Sequence, residues 1–492
     1  MIMNKTISIW LIITWFGLPL AALPWKNDAS FQAEESLVEI EVTKKSYSYK
    51  QPWLTNNQTG NKNGLIIDHH QILTTADGLR FDASYRIRKG GESKRYEATL
   101  SSIDFQANIA ILRVADPEFW LEVEPVIFAP DIPQNGNLQV YRWRSGRIEE
   151  RTAEIVRLYV GSAKLSKLAH LVLLASSEMN AAGWSEIVMD GNRLVGLTTS
   201  GSKNKQIMIL PATFIAAALE RGPCGEGMGH GFFDFYWMPS NNPALLKSKG
   251  LDPKSSGGII VTRTGILKKE ATSLREGDVI LKIDGFTIDK EGKYIDPKYG
   301  RLSFKGLSSR SHATGETIPM EIWRDRQMQT INYLLPRVDY NQGLVPSRQQ
   351  DAEPRYLIAG GLIFQPMDDP LMQALSKTSS GAMDYFQEMQ PEIGRPSLVV
   401  LTSVLPDDYN LDYENIGPLM LDCINGLPIH TLEDVAHAFA NPLNGFHHLK
   451  FMDDFNLKHL VLKAKTLQDA TERVLQHYRI RSASRGVDPL KP

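Results

Sequence analysis

Between Leu37 and Leu112 the apolar residues come in short runs, each closed by turn residues within about a dozen positions, and this spacing limits the chain to an all-β barrel or sandwich rather than βαβ units. Leu37, Val38, Ile40 and Val42 alternate with acidic residues as a first strand from Ser36 to Glu41. Gly64–Asp68 and Ile72–Leu79 make two more strands. Tyr85–Arg88 and Arg95–Leu100 flank Lys89-Gly90-Gly91-Glu92 as a hairpin, and Asp104–Val114 is a buried strand led in by polar residues. Further on, Asp190-Gly191 sits between apolar runs, a strong hairpin signal.

At 492 residues the chain exceeds a single core, and two to four domains are expected. A net charge of −2 points away from nucleic-acid or polybasic membrane partners. The two cysteines, Cys224 and Cys423, leave room for one bridge at most, and Cys423 in the apolar run Leu421–Ile424 reads as a free thiol. Lys5, the apolar run Ile7–Leu18 and the small residues ending at Ala22 form an export signal over residues 1–22. The expected location is therefore periplasmic or secreted, with no stable membrane span once the signal is removed; retention as an anchor is the competing reading.

The glycine-rich stretch Gly222–Gly231 reads as a linker. Beyond it, Leu274-Arg275-Glu276-Gly277-Asp278-Val279-Ile280-Leu281-Lys282-Ile283-Asp284-Gly285 is a turn, a strand and a second turn, with Trp323–Leu335 as the closing strand. A third module starts near Arg355. It contains Ala359-Gly360-Gly361-Leu362-Ile363-Phe364, a strand and turn at Asp422–Ile429, and helices at Leu432–Ala440, capped by Thr431 or His430, and at Thr466–Tyr478.

Gly64-Leu65-Ile66-Ile67, Leu73-Thr74-Thr75-Ala76-Asp77-Gly78-Leu79 and Asp104–Leu112 together resemble the trypsin-like serine proteases of the HtrA/Deg family. Leu274–Gly285 resembles the signature of PDZ domains. In layout the chain is similar to plant Deg-type proteases with two PDZ domains. The resemblance implies a mainly β protein: a trypsin-like double β-barrel over 35–222, then two PDZ-like α+β domains over 229–338 and 355–480, the second carrying a helical tail.

The same resemblance identifies what is missing. The catalytic histidine position is Asp77, the aspartate position is Asn108, and the nucleophile position, counted back from Gly191, is Ala182. Asn180 and Gly183 occupy the oxyanion region, with Trp184 where glycine is usual. A serine protease needs a hydroxyl nucleophile, an imidazole base and a carboxylate that orients it. Alanine cannot be acylated, a carboxylate is a poor base for a hydroxyl, and asparagine cannot stabilise an imidazolium. Loss of the nucleophile alone costs about 10⁶-fold in turnover in a comparable triad. Ser185 as a relocated nucleophile is followed by Glu186, a poor substitute for glycine, and His69-His70 lies away from the base position. The histidine pair has no second ligand cluster at zinc spacing, so neither metal nor cofactor is expected.

The sequence therefore reads as an exported HtrA/Deg-like pseudoprotease, a chaperone-like or regulatory scaffold in envelope protein quality control; the alternative is an active serine endopeptidase with a rearranged site. Its expected partners are unfolded proteins or C-terminal peptides, together with a trimer-based homo-oligomer or an active protease paralogue. Aromatics at Tyr47–Trp53 are similar in place to those that staple trimeric HtrA proteins. PDZ domains bind a peptide as an added strand with its carboxylate held by loop amides. The resemblance places such loops at Gly231, Phe232 and Phe233 in the first module, the favoured one, and at Gly361, Leu362 and Ile363 in the second.

Overall fold

The computed structural model describes residues 31–488 except 163–165, 167, 180–182, 203, 223–228, 255–256, 266–273, 339–342, 348–352, 377–394 and 453–458. The N-terminal signal pattern, Cys224 and Asn180–Ala182 lie outside the described residues. Among the described residues no helix is long and apolar enough to cross a membrane.

Six strands close a first barrel in the order β1 (Leu37–Tyr47), β2 (Thr55–Asp68), β3 (Gln71–Thr74), β6 (Ile109–Val114), β5 (Tyr96–Asp104) and β4 (Ser84–Lys89), with β4 returning to β1. Val38, Ile40, Ile66, Ile72, Ile87 and Leu112 fill it. Closure removes both sheet edges, which a short-stranded antiparallel sheet otherwise exposes to mispairing.

After the short strand β7 (Ile127–Phe128), a second ring forms from β8 (Asn137–Arg144), β9 (Arg147–Gly161), β10 (His170–Ser177), β13 (Gln206–Pro211), β12 (Arg193–Gly201) and β11 (Ile187–Asp190). The β11–β12 pairing closes it. Asp190 pairs with Arg193, so Gly191-Asn192 is the two-residue turn, with Gly191 at φ 58°. Helix α1 (Ala212–Arg221) follows β13. Leu37, Leu65, Leu73 and Ile109 of the first barrel meet Trp143, Ile187, Leu197, Leu210 and Ile215 of the second in one core. The architecture is a trypsin-like double barrel.

A third sheet runs β14 (Phe235–Pro239), β15 (Ile259–Thr264), β16 (Val279–Ile283), β20 (Thr317–Arg324), β21 (Gln327–Leu334), with β17 (Phe286–Thr287) on β16 and a separate hairpin of β18 (Lys293–Asp296) and β19 (Gly300–Ser303). Asp284 and Gly285 both take positive φ, 52° and 79°, as a tight hairpin turn between β16 and β17. The expected closing strand Trp323–Leu335 is instead a hairpin: Asp325 and Arg326 turn at φ 53° and 62°, and β20 supplies the other arm. A 3-10 turn, Phe304–Gly306, leads into α2 (Leu307–Arg310), which lies over this sheet.

The fourth sheet runs β28 (His459–Lys463), β27 (Phe446–Phe451), β25 (Leu419–Ile424), β24 (Val399–Val404), β23 (Leu362–Pro366), β22 (Tyr356–Ala359), β29 (Ser484–Arg485), with β26 (Leu427–Pro428) on β25. Helix α3 (Leu432–Ala440) begins with a capping box between Thr431 and Asp434, and buries Leu432, Val435, Ala438 and Phe439. Helix α4 (Leu467–His477) lies across the opposite end. Cys423 is a half-buried free thiol.

The β1–β2 hairpin extends well past the barrel, to the pair Tyr47–Thr55. Its tip docks on the fourth sheet of the same chain: Trp53 meets Tyr356 edge-on at 6.3 Å, and Arg485 donates to the Pro52 carbonyl at 3.0 Å. Trp53, expected to join protomers, here joins two parts of one chain.

At Gly196 on β12 an added Cβ would stand 2.1 Å from the Leu210 carbonyl oxygen. Gly196→Ala is expected to destabilise the chain by about 1–3 kcal/mol by prising β12 from β13, measured as a lower denaturant midpoint.

Candidate functional site

The seam between the barrels carries the residues of the degenerate triad. Asp77 and Asn108 lie together: the Asn108 amide donates to the Asp77 carboxylate at 3.4 Å, and Asn108 holds φ 55°. Ala182 and Asn180 lie outside the described residues, so the geometry of the nucleophile position rests on Gly183 onward.

Gly183 adopts φ 115° and packs so closely that an added Cβ would lie 2.8 Å from Ser200 Cα and 2.9 Å from the Gly201 nitrogen on β12. The amides of Gly183 and Trp184 both donate to Glu186 Oε2, at 2.7 and 3.0 Å. Thr198 also donates its hydroxyl to that oxygen, and Arg142 stands 3.8 Å from the other. Glu186 is buried, so its charge is held by these donors rather than by water. Sequence reasoning treated Glu186 only as a misfit for glycine, whereas its carboxylate folds back to bind the loop that precedes it. Trp184 is 54% exposed and so is not part of the barrel core.

Ser185 is 0% exposed, at φ 66°, and its hydroxyl is enclosed by the Thr74 hydroxyl at 3.0 Å, the Thr75 amide at 3.0 Å and the Thr75 hydroxyl at 2.6 Å. No imidazole is among its hydrogen-bond partners in the described residues. His69 and His70 sit exposed in the turn at the far end of β3, with His70 edge-on to Trp120.

Lys62 completes the cluster and was not foreseen; its only sequence signal is a charge placed just before the apolar run Gly64–Ile67. Its ammonium donates to the Thr75 carbonyl, the Thr75 hydroxyl and the Asp77 carbonyl at 2.8, 2.7 and 2.7 Å. Burial pushes its pKa down to about 7, although Asp77 and Glu186 pull the other way. A chain Lys62–Thr75–Ser185 results, closed to solvent at each member.

The first-module loop packs differently from the second. Gly231 donates its amide to the His312 carbonyl at 3.3 Å, and a Cβ there would meet Leu335 and the Ser308 carbonyl at 2.5 Å. Phe232 is half-buried, and Phe233 lies in the module core with Phe235, Phe304 and Tyr333. The following strand, β14, pairs only with β15, which leaves its other edge unpaired among the described residues. Trp237 on β14 meets Phe304 edge-on at 5.3 Å, so the strand lies beside the 304–310 helical segment.

In the second module the expectation is corrected. Gly360 and Gly361 are a hairpin turn, φ 56° and 90°, joining β22 to β23. Leu362 and Ile363 are fully buried and paired on both sides, to β22 and to β24. The Gly360 amide is taken by Thr471 of α4 at 2.8 Å, and its carbonyl by Asn410 at 2.8 Å. Neither a free strand edge nor a free Gly360 amide remains there for a peptide. Among the described residues no group of three or more His, Cys, Asp or Glu side chains could hold a metal.

A PDZ-domain family model matches residues 345–485. Similar relatives from Arabidopsis thaliana include the putative mitochondrial protease Do-like 3, 25% identical over 92% of this chain and 79% of its own. Another is the chloroplastic protease Do-like 2, 24% identical over 95% and 77%. Among solved structures, the HtrA-type protease AlgW with decapeptide aligns at TM-score 0.46 and 15% identity, covering 62% of this chain and 96% of that one. The chain is a homologue of the Do-like, HtrA/Deg proteases, with a trypsin-like double barrel and a PDZ domain.

The Lys62 pKa of about 7, against 10.5 for a free lysine, means that the folded chain binds fewer protons than the unfolded chain between those values, so Lys62 makes stability rise with pH across that window. Relative to Lys62→Met, the natural chain is expected to gain up to about 1 kcal/mol per pH unit between pH 7 and 10, read from urea unfolding of both proteins.

Proposed function

We propose that this protein is a non-catalytic member of the HtrA/Deg group that binds unfolded or extended peptide segments and acts as a chaperone-like or regulatory scaffold after export. The observation that carries the reading is the content of the triad positions: Asp77, Asn108 and Ala182 provide neither imidazole nor nucleophile. Glu186 supports it, because its carboxylate already occupies the Gly183 and Trp184 amides, and a substrate oxyanion would be repelled there. Lys5–Ala22 supports export to a periplasmic or extracellular location.

Peptide capture is assigned to the third sheet. The open edge of β14 can take an added strand, with Trp237 and the 304–310 segment on one side and the exposed Tyr236 and Met238 on the other. Trp53 and the paired edges around β23 fit the fourth sheet to an architectural role. A trimer-based homo-oligomer, or association with an active paralogue, belongs to the same reading.

The competing reading is a serine endopeptidase with a displaced site. The Lys62–Thr75–Ser185 chain is the one observation in its favour, since a lysine of lowered pKa is a possible base for a serine. It requires Ser185 to leave three hydrogen bonds and reach solvent.

Casein is expected to remain intact with the natural chain, and a fluorophosphonate probe to leave it unlabelled. Labelling that disappears in Ser185→Ala would instead establish the displaced enzyme. In the binding arm, an unfolded peptide is expected to slow amide exchange on β14 and not on β23; protection of β23 alone would move the binding site to the fourth sheet.

A further inference from the structure

The second barrel and the third sheet meet through three stacked rings. His170 opens β10, Phe214 lies on α1, and His230 bridges to Ala313 in the module of the third sheet. Phe214 is sandwiched, with His170 at 4.5 Å and 25° on one face and His230 at 4.5 Å and 13° on the other. Both imidazoles are almost fully buried. Ser309 ties the same seam, donating to the Ala169 carbonyl at 2.6 Å.

The hydrogen bonds define which nitrogen is protonated. His170 Nδ1 lies 2.8 Å from the Leu171 carbonyl and so carries the hydrogen, leaving Nε2 bare. His230 Nδ1 lies between two opposed partners, the Arg221 guanidinium, which can only donate, and the Ser309 carbonyl at 3.3 Å, which can only accept; the closer guanidinium favours the hydrogen on Nε2. Neither Nε2 has a hydrogen-bond partner among the described residues. A second proton would thus sit on His170 Nε2 with no acceptor, and on His230 it would place a positive ring against the Arg221 guanidinium, only partly offset by the Ser309 carbonyl. The remaining charged groups of the seam are Glu220 on α1, Glu316 and the His312–Asp284 pair in the module of the third sheet, and Lys298 with Asp131 at the rim. None is among the hydrogen-bond partners of either buried ring.

We propose that the His170–Phe214–His230 stack is a proton-operated clasp, which docks the third sheet on the second barrel when both imidazoles are neutral and releases it on acidification. The inference is independent of whether the barrels are catalytic, and it makes the relative placement of the β14 edge a function of pH.

Burial holds His170 at about 4; burial, then Arg221, holds His230 at about 3. Both values are depressed below the ordinary 6.5, so docking is stabilised above pH 6.5 and that stabilisation is lost as pH falls towards the docked values. Each histidine shifts the docked–open equilibrium by roughly thirtyfold between pH 7.5 and 5. Of the other contacts of the seam, Gly306 against Val160 and Gln134 to the Lys298 carbonyl contain no titratable group, and the Lys298–Asp131 ion pair lies at the exposed rim.

The test is small-angle scattering of the full chain from pH 7.5 to 4.5, with circular dichroism on the same samples and histidine ring resonances followed by NMR. The expected result is a rise in radius of gyration between pH 6 and 4.5 with strand content unchanged. Two imidazoles should stay neutral until that transition and take up protons with it. His170→Phe with His230→Asn keeps an aromatic face and an acceptor for Arg221, and should remain docked at pH 5. A radius that does not change in the natural chain, loss of strand content together with expansion, or two buried imidazoles titrating near 6.5 in the compact state would each overturn the proposal. If the double variant does not fold, the NMR titration of the natural chain decides alone.

Discussion

The two barrels are held in register by one buried side chain, Asn63. Its carboxamide oxygen accepts the Trp143 amide at 2.7 Å, and its own amide groups reach the Trp184 carbonyl from both backbone and side chain, at 3.2 and 3.3 Å. The Asn63 carbonyl takes the Thr74 hydroxyl at 2.7 Å. One residue of β2 thereby satisfies backbone groups on β8 and on the loop before β11, beside an apolar core that would otherwise leave these groups unpaired. Trp143 adds its indole to the Leu37 carbonyl at 3.0 Å across the same seam.

Around that joint the polar groups are turned inward. Glu186 binds the amides of its own loop, Lys62 binds the Thr75–Asp77 turn, and Ser185 is consumed by Thr74 and Thr75. A reactive site keeps donors free for charge that develops on a substrate. Here the Gly183 and Trp184 amides are already bound to the Glu186 carboxylate. The Lys62 amine and the Glu186 carboxylate each make several hydrogen bonds to their own surroundings, the condition under which burial of a polar group is tolerated.

The two C-terminal sheets differ in which edges they leave open. β14 has one neighbour and stands beside a helical segment, whereas β23 has two, and α4 and Asn410 take the polar groups of its turn. The hairpin tip at Pro52-Trp53 anchors the fourth sheet to the first barrel, and the ring stack at Phe214 anchors the third sheet to the second. One anchor is insensitive to protons and the other is made of imidazoles, which is a chemical difference between two otherwise similar docking contacts.

Local signals carried far. Short apolar runs, the turn at Asp284-Gly285 and the cap at Thr431 are written in neighbouring residues, so strands, hairpins and α3 were legible, as was the absence of histidine and serine from the triad positions. The Asp325-Arg326 turn is weakly signalled in sequence because Asp325 tolerates positive φ but Arg326, where glycine is usual, does not favour it, and the paired strands on each side impose it. Gly360-Gly361 was read as a binding loop because glycines that permit a close approach and glycines that permit a tight turn look alike in sequence. That Lys62 is buried, that Ser185 is enclosed and that two histidines stack on Phe214 depend on contacts between residues from about a dozen to more than a hundred positions apart, and which way Glu186 points depends on a loop conformation that brings the Gly183 and Trp184 amides onto it. The chain's own residues determined the barrel-and-PDZ plan and which side chains stand at Asp77, Asn108 and Ala182; only tertiary packing decided which polar groups face inward and which strand edge stays open.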